Sequence, residues 1–426
     1  MRFATKTTAP QQNVLDTVTV QETLPGQLTR GAPEESGNTG RIPSIDGLRA
    51  LAVLGVIAFH FELGLPGGFL GVDLFFVISG FVITRLLLAQ RKREPRPRQA
   101  EFWFRRAKRL LPAVLLVVAS VQVWMLIQDP PGLRATVNGQ TLAALTYVSN
   151  WYAITADVGY WNVGLEAAPL NHLWSLAVEE QFYLLWPLVL AGALALLPAR
   201  VSRRVLVVAA LVVAAVGYVL AHHWYVPGTP ERAYLGTDAR VGALLLGVVV
   251  ALSPARLPAR LSALLACVSV VVLGTLWATA DMDSAAFYTW QLPVAGLAAA
   301  LVVNALAQTT TGPLSRFLCL APLQWTGLRS YAIYLWHWPV WVFLGVEFPG
   351  LSDAARVTVA FAATLVLATA SYALVEQPVR ASRRRPLVVL PALAVCSALL
   401  AGAALLPVTA PVDAEEGPVV TGPTTP

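Results

Sequence analysis

The sequence predicts an all-α protein, a polytopic bundle of about eleven transmembrane helices with a cytoplasmic N-terminus and an extracytoplasmic C-terminus. Three observations predict it. Hydrophobic residues make up 56% of the 426 and charged residues only 13%, the balance of a chain whose solvent is a bilayer. Apolar runs of about 20 residues, long enough to cross a hydrocarbon core, recur from end to end. The basic residues between them fall on alternate loops. A β-barrel is excluded by unbroken runs such as VLVVAALVVAAVGYVL from Val205, because barrel strands alternate apolar and polar positions over about ten residues.

Residues 1–44 are polar, rich in Thr, Gln and Gly, and lack the apolar region and cleavage site of a signal peptide. They read as a disordered cytoplasmic tail. Spans follow at about 45–62, 69–89, 109–127, 171–197, 204–222, 236–252, 259–279, 287–307, 330–346, 356–375 and 386–407. Ten of them compose a membrane domain over 45–380, and the eleventh is an additional helix within 381–407. The Pro-rich, acidic segment 408–426 reads as an extracytoplasmic linker or a cut end.

The loops orient each span. Arg91, Lys92, Arg93, Arg96, Arg98, Arg105, Arg106, Lys108 and Arg109 separate or flank the second and third. Arg200, Arg203 and Arg204 do the same for the fourth and fifth, Arg256 and Arg260 for the sixth and seventh, Arg316 and Arg329 for the eighth and ninth, and Arg380 with Arg383 to Arg385 for the last two. The other loops hold only Arg134, Arg232 and Arg356, beside acids such as Asp129, Asp157, Glu231, Asp281 and Glu347. Basic loops stay in the cytoplasm. Topology thus accounts for the net charge of +6, with the bilayer as partner and no nucleic acid. The long outside stretch, about 128–170, carries Trp151, Tyr152, Tyr160 and Trp161, suited to interfacial anchoring or to a lid over an acceptor. Cys267, Cys319 and Cys396 lie in or beside apolar runs and are read as core residues. Their spacing fits neither a disulfide framework nor zinc, and no metal is expected.

Ionisable residues inside a span cost a few kcal/mol each and point to function. On the first span Arg49 and His60 are eleven positions apart, which brings them to one face about 16 Å from each other. Helix direction then sorts the rest by depth. Arg49, Arg85 and the RRAKR cluster from Arg105 to Arg109 lie toward the cytoplasm; His60, Asp73, Glu179, Glu180 and Asp238 lie in the outer half. Converging arginines suit a phosphate-rich anion, because the guanidinium fork matches phosphate oxygens and keeps its charge. Coenzyme A has such a head, and its thin arm could run from Arg49 to His60. A neutral imidazole there takes the proton of an acceptor hydroxyl, with Glu180, or Glu179 beside it, fixing the tautomer. His337, in WHWPVW, lines the donor channel or packs in the core. Asp73 caps the second helix or pairs with Arg240, and Arg240 or Tyr334 is the candidate donor to an oxyanion. His172, His222 and His223 are placed at outer interfaces without a catalytic role, and Ser79, in VISGF, is read as a helix-packing residue.

IDGLRALAVLGVIAFHF, GGFLGVDLFFVISGFVIT, FWFRRAKRLLPA, LWSLAVEEQFYLLWP, SYAIYLWHWPV and the closing EQPVR occur in this order over residues 44–380. Together they resemble the acyltransferase-3 family of integral membrane acyltransferases. The resemblance implies transfer of an acyl group, with acetyl-CoA the expected donor, to a hydroxyl of an extracytoplasmic carbohydrate or glycolipid. It assigns Arg49 and His60 of the first helix, with His60 as base, Arg106 and Arg109 to the donor, and Glu179 and Glu180 to the glutamate pair. Some members carry an extracytoplasmic hydrolase-like domain beyond the eleventh span, so such a domain or partner is possible here. From the residues alone a proton-coupled secondary transporter, or a flippase for a lipid-linked sugar, remains the alternative.

Overall fold

The structure, a computed structural model, describes residues 41–93, 99–128, 133–156, 168–253, 257–309, 311–382 and 386–405. From Ile42 onward the chain forms one unit by its contacts. The expected tail up to residue 40 and the segment 408–426 lie outside the described residues. Those described are helical or connect helices, and the all-α architecture stands as expected.

Helix α1 (Pro43–His60) starts where Pro43 supplies a preset φ in its first turn. A single 3₁₀ turn leads into α2 (Gly71–Arg93), followed by α3 (Gln99–Gln128). Two short helices come next, α4 (Leu133–Leu145) and α5 (Ser149–Thr155), then α6 (Trp174–Leu196), α7 (Ala199–Trp224) and the short α8 (Glu231–Leu235). The chain continues through α9 (Thr237–Leu252), α10 (Ala259–Thr279), α11 (Leu292–Gln308), α12 (Pro313–Leu318) and α13 (Ala321–Glu347). It ends with α14 (Asp353–Ser371), α15 (Gln377–Ala381) and α16 (Pro386–Ala404). A π-helical turn, Phe287–Gln291, opens α11, and another, Tyr372–Glu376, joins α14 to α15.

Among the described residues, eight helical stretches are long and apolar enough to cross a membrane, and they coincide with eight of the predicted spans. Helices α6, α13 and α16 occupy the other three predicted positions. The first two are less apolar because Glu179, Glu180 and Gln181 interrupt α6, and Trp, Tyr, His and Pro crowd α13. Three local expectations change. The stretch predicted as one long outside loop folds partly into α4 and α5, which place Trp151 and Tyr152 on a helix; Tyr160 and Trp161 lie outside the described residues. Helix α3 begins about ten residues before its predicted span, so RRAKR is helical rather than a flank. Its Lys108 donates to the Ser382 carbonyl at 2.5 Å, where α15 ends. The three cysteines are exposed on the surface and do not belong to the core.

Helices α2 and α9 cross at backbone distance. A Cβ on Gly80 would stand 1.9 Å from the Leu244 carbonyl oxygen, and one on Gly247 would stand 2.0 Å from that of Val77. Small residues permit such an approach where lipid supplies no hydrophobic drive between helices. Toward one end of the same crossing, Arg240 donates to the Asp73 carboxylate at 2.8 Å, with both side chains buried. The guanidinium also lies over the Tyr234 ring, 4.6 Å from its centroid, and 5.8 Å from that of Trp174. Of the two sequence readings of Asp73, pairing is the one realised. Removing one partner leaves an uncompensated buried charge, so Asp73→Ala is expected to cost about 3–5 kcal/mol. Asp73→Leu with Arg240→Met is expected to recover most of that loss. Unfolding midpoints of the purified variants in nanodiscs check this, and a double variant as unstable as the single one contradicts it.

Candidate functional site

A narrow cavity of about 70 Å³ opens between α1, α2, α3, α6 and α13. One end is basic, with Arg49 from α1 and Arg106 and Arg109 from α3. The two α3 arginines are three positions apart, so one helical face presents both. Arg106 lies with its guanidinium 3.6 Å from the Tyr183 ring centroid. Its Nε is 3.9 Å from the Glu180 carboxylate, yet buried and without a hydrogen-bond partner. A planar cation at the basic end of a cavity, with hydrogen-bonding capacity unused, is suited to an anionic ligand.

The middle of the cavity is set by α6, on which Ser175, Glu179 and Tyr183 recur every four residues and so share one face. Both carboxylate oxygens of Glu179 are engaged, one by the Ser79 hydroxyl at 2.8 Å and the other by the Tyr183 hydroxyl at 2.6 Å. At the far end Tyr334 donates to the His172 carbonyl at 2.8 Å. Its single hydroxyl hydrogen being used there, the Ser175 hydroxyl, 2.6 Å away, is the donor of their mutual bond.

Beyond Tyr334 stands a cluster of three histidines. Nδ1 of His60 is 2.9 Å from Nε2 of His337, and the rings stack with centroids 5.0 Å apart. His337 is fully buried on α13, with the Tyr334 ring centroid 5.3 Å away and that of His172 5.6 Å away. Helix α13 contains Pro339, which has no N–H to give to the carbonyl four residues earlier. That carbonyl belongs to Leu335, and Nε2 of His172 donates to it at 3.2 Å. The proline opens a backbone acceptor, and a histidine from another segment fills it.

Several predicted residues come together. Arg49, Arg106, Arg109, Glu179 and Tyr334 line the cavity. Arg49 lines the cavity, while His60 stands against His337 on α13 and does not line it. Others are elsewhere. Glu180 pairs with Arg106 and Glu179 bonds Ser79 and Tyr183, so the expected contact between His60 and a glutamate is not made. The cavity also reaches Tyr334 and Ser175 without including His60 in its lining. His337 does not line it, Arg85 lies against Phe81 outside it, and Asp73 and Arg240 are committed to each other.

Sequence reasoning missed Ser79, Ser175 and His172. The four-residue period of α6 points to Ser175, but nothing in the pattern marks Ser79, which sits among apolar neighbours. His172, expected at an outer interface, is fully buried, whereas His222 and His223 are exposed as expected. Among the described residues no group of three or more His, Cys, Asp or Glu is placed to hold a metal ion.

A protein-family model described as an acyltransferase domain matches residues 42–374. Among curated proteins, the chain is 37% identical over 350 residues to the O-acetyltransferase OatA of Staphylococcus aureus strain NCTC 8325, covering 80% of this chain and 57% of that one. It is 35% identical over 355 residues to the peptidoglycan O-acetyltransferase OatA of Listeria monocytogenes, covering 80% and 56%. The chain thus spans little more than half the length of these relatives. No solved structure matches.

His172→Phe strands the Leu335 carbonyl in the core and is expected to cost about 1–3 kcal/mol. Adding Pro339→Ala supplies a backbone N–H for that carbonyl, so the double variant is expected to be the more stable of the two. Thermal unfolding of both in the same detergent checks this; losses that simply add would contradict it.

Proposed function

Because the chain belongs to the acyltransferase-domain family, we propose that it acts as a membrane-embedded O-acetyltransferase of the bacterial cell envelope. It sits as a multi-pass protein in the plasma membrane, takes acetyl-CoA from the cytoplasm and delivers the acetyl group to a hydroxyl of an envelope carbohydrate. Peptidoglycan is the favoured acceptor, since the relative from Listeria monocytogenes is named for it.

One observation carries the reading: a single cavity has three guanidiniums at one end and, behind Tyr334 at the other, an imidazole on the same helix as the first guanidinium. Arg49, Arg106 and Arg109 hold the phosphates, where the unpartnered Nε of Arg106 still has a hydrogen to donate. The pantetheine arm follows α6 past Glu179 to Ser175 and Tyr334. There the Tyr334 ring turns aside and the thioester meets the acceptor beside His60.

The acceptor oxygen attacks the thioester carbon, its proton passes to His60, and the C–S bond breaks. The CoA thiolate then leaves and takes that proton from His60, becoming the free thiol and returning the imidazole to its neutral form. The O-acetyl ester is formed with no change in oxidation state. With the Tyr334 ring turned aside, its hydroxyl is released from the His172 carbonyl and that of Ser175 from Tyr334, and both donate to the oxyanion in place of Arg240, which is held by Asp73. The acetyl group goes directly to the carbohydrate, or first to an extracytoplasmic hydrolase-like domain or partner that completes the transfer.

Transfer of label from radioactive acetyl-CoA to peptidoglycan fragments, with the protein in nanodiscs, tests this. His60→Gln is expected to lower turnover by about 10²–10⁴-fold while CoA still binds. Arg106→Ala with Arg109→Ala is expected to abolish CoA binding. A His60→Gln variant with unchanged turnover would falsify the assignment of the base, and CoA binding unaffected by the arginine pair would remove the donor site.

A further inference from the structure

Hydrogen bonds decide which nitrogen of each clustered histidine carries its proton. A carbonyl oxygen only accepts, so Nδ1 of His337, 2.5 Å from the Tyr334 carbonyl, holds a hydrogen. In the neutral ring this leaves Nε2 of His337 as a lone pair. That lone pair faces Nδ1 of His60 at 2.9 Å, which is therefore the donor. Neutral His60 then carries its own lone pair on Nε2, the ring nitrogen not engaged by His337. The order of donation runs from His60 to His337 to the α13 backbone.

We propose that His337 is a positioning residue: it fixes His60 in the tautomer whose Nε2 receives the acceptor proton. The proposal rests on His60 being the base, and it replaces the donor-channel role read from sequence. A carboxylate at this point would accept the same hydrogen and also stabilise the imidazolium by charge. A second imidazole sets the tautomer by geometry alone. The geometry is tightly held, since the His60 ring packs against both His337 and Trp338, 5.0 and 4.8 Å from their centroids. His337 in turn is fully buried, and its Nδ1 is tied to the carbonyl of its own helix.

Two variants and one spectrum test this. His337→Phe keeps a ring but offers no acceptor; His337→Gln offers a side-chain carbonyl near the place of Nε2. His337→Phe is expected to lower kcat about 10- to 100-fold, the range that orienting partners of a reactive side chain command, with the KM for acetyl-CoA unchanged. His337→Gln is expected to regain most of the loss. The chain has five histidines, so ¹⁵N-histidine labelling of the full chain in nanodiscs is expected to resolve His60 with its hydrogen on Nδ1 and none on Nε2. In His337→Phe both tautomers of His60 are expected.

Full kcat in His337→Phe, equal impairment of the Phe and Gln variants, or a wild-type His60 protonated on Nε2 would each overturn the proposal. If His337→Phe fails to fold, the wild-type spectrum and the Gln variant still decide. Loss of activity in His60→Gln together with an indifferent His337→Phe removes the positioning role alone. Full activity in His60→Gln removes the base assignment itself, whatever the spectrum shows.

Discussion

A polar group inside a helix bundle surrounded by lipid has no water to turn to, so its partner has to come from another segment of the protein. This constraint organises the interior. Asp73 on α2 meets Arg240 on α9, and Glu180 on α6 meets Arg106 on α3. Glu179 is held by Ser79 from α2 and by Tyr183 from its own helix. His60 on α1 meets His337 on α13, and His172 meets the one carbonyl that Pro339 leaves open. Most of these contacts tie separate helices together, so the groups that suit the cavity for chemistry also fix the relative placement of its walls.

The crossing of α2 and α9 gives this framework its rigid part. Reciprocal contacts at Gly80 and Gly247 bring the two backbones together, and the Asp73–Arg240 pair locks their register. Such a pair is poor material for a substrate site, since anything that draws Arg240 away exposes a buried carboxylate without compensation. Its presence in α2 therefore supports the cavity wall carrying Phe75 and Ser79 without joining the cavity itself. Arg240 and Arg106 both keep buried donors without partners, but of the two only Arg106 lines the cavity, where such a donor gains by meeting a ligand.

Helix α13 is where packing and chemistry coincide. Its aromatic and polar content makes it a weak membrane segment by composition, and it is almost wholly buried from Ala332 to Val342. Pro339 costs it one backbone hydrogen bond, and His172 restores the balance from outside the helix. The exchange brings a third histidine against the first two, so the proline that weakens the helix also helps assemble the cluster.

Much of the fold was legible in the sequence because a bilayer imposes its thickness locally: the length of each apolar run and the alternation of basic loops need no knowledge of neighbours. The basic end of the cavity was legible for a similar reason, as Arg106 and Arg109 sit three apart on one helix and Arg49 is the one arginine of the first apolar run. Lipid-facing and core-facing sides of a membrane helix are both apolar, so composition could not tell that the cysteines face outward or that His172 faces inward. Nor could it pair His60 with His337, 277 residues away, in place of a glutamate. The sequence by itself determined which segments are helices, how long they are and which carry charge, because those properties follow from each segment and its solvent. Only the tertiary structure decided which charges meet, because partners are chosen by where helices cross and by which backbone groups a proline leaves open.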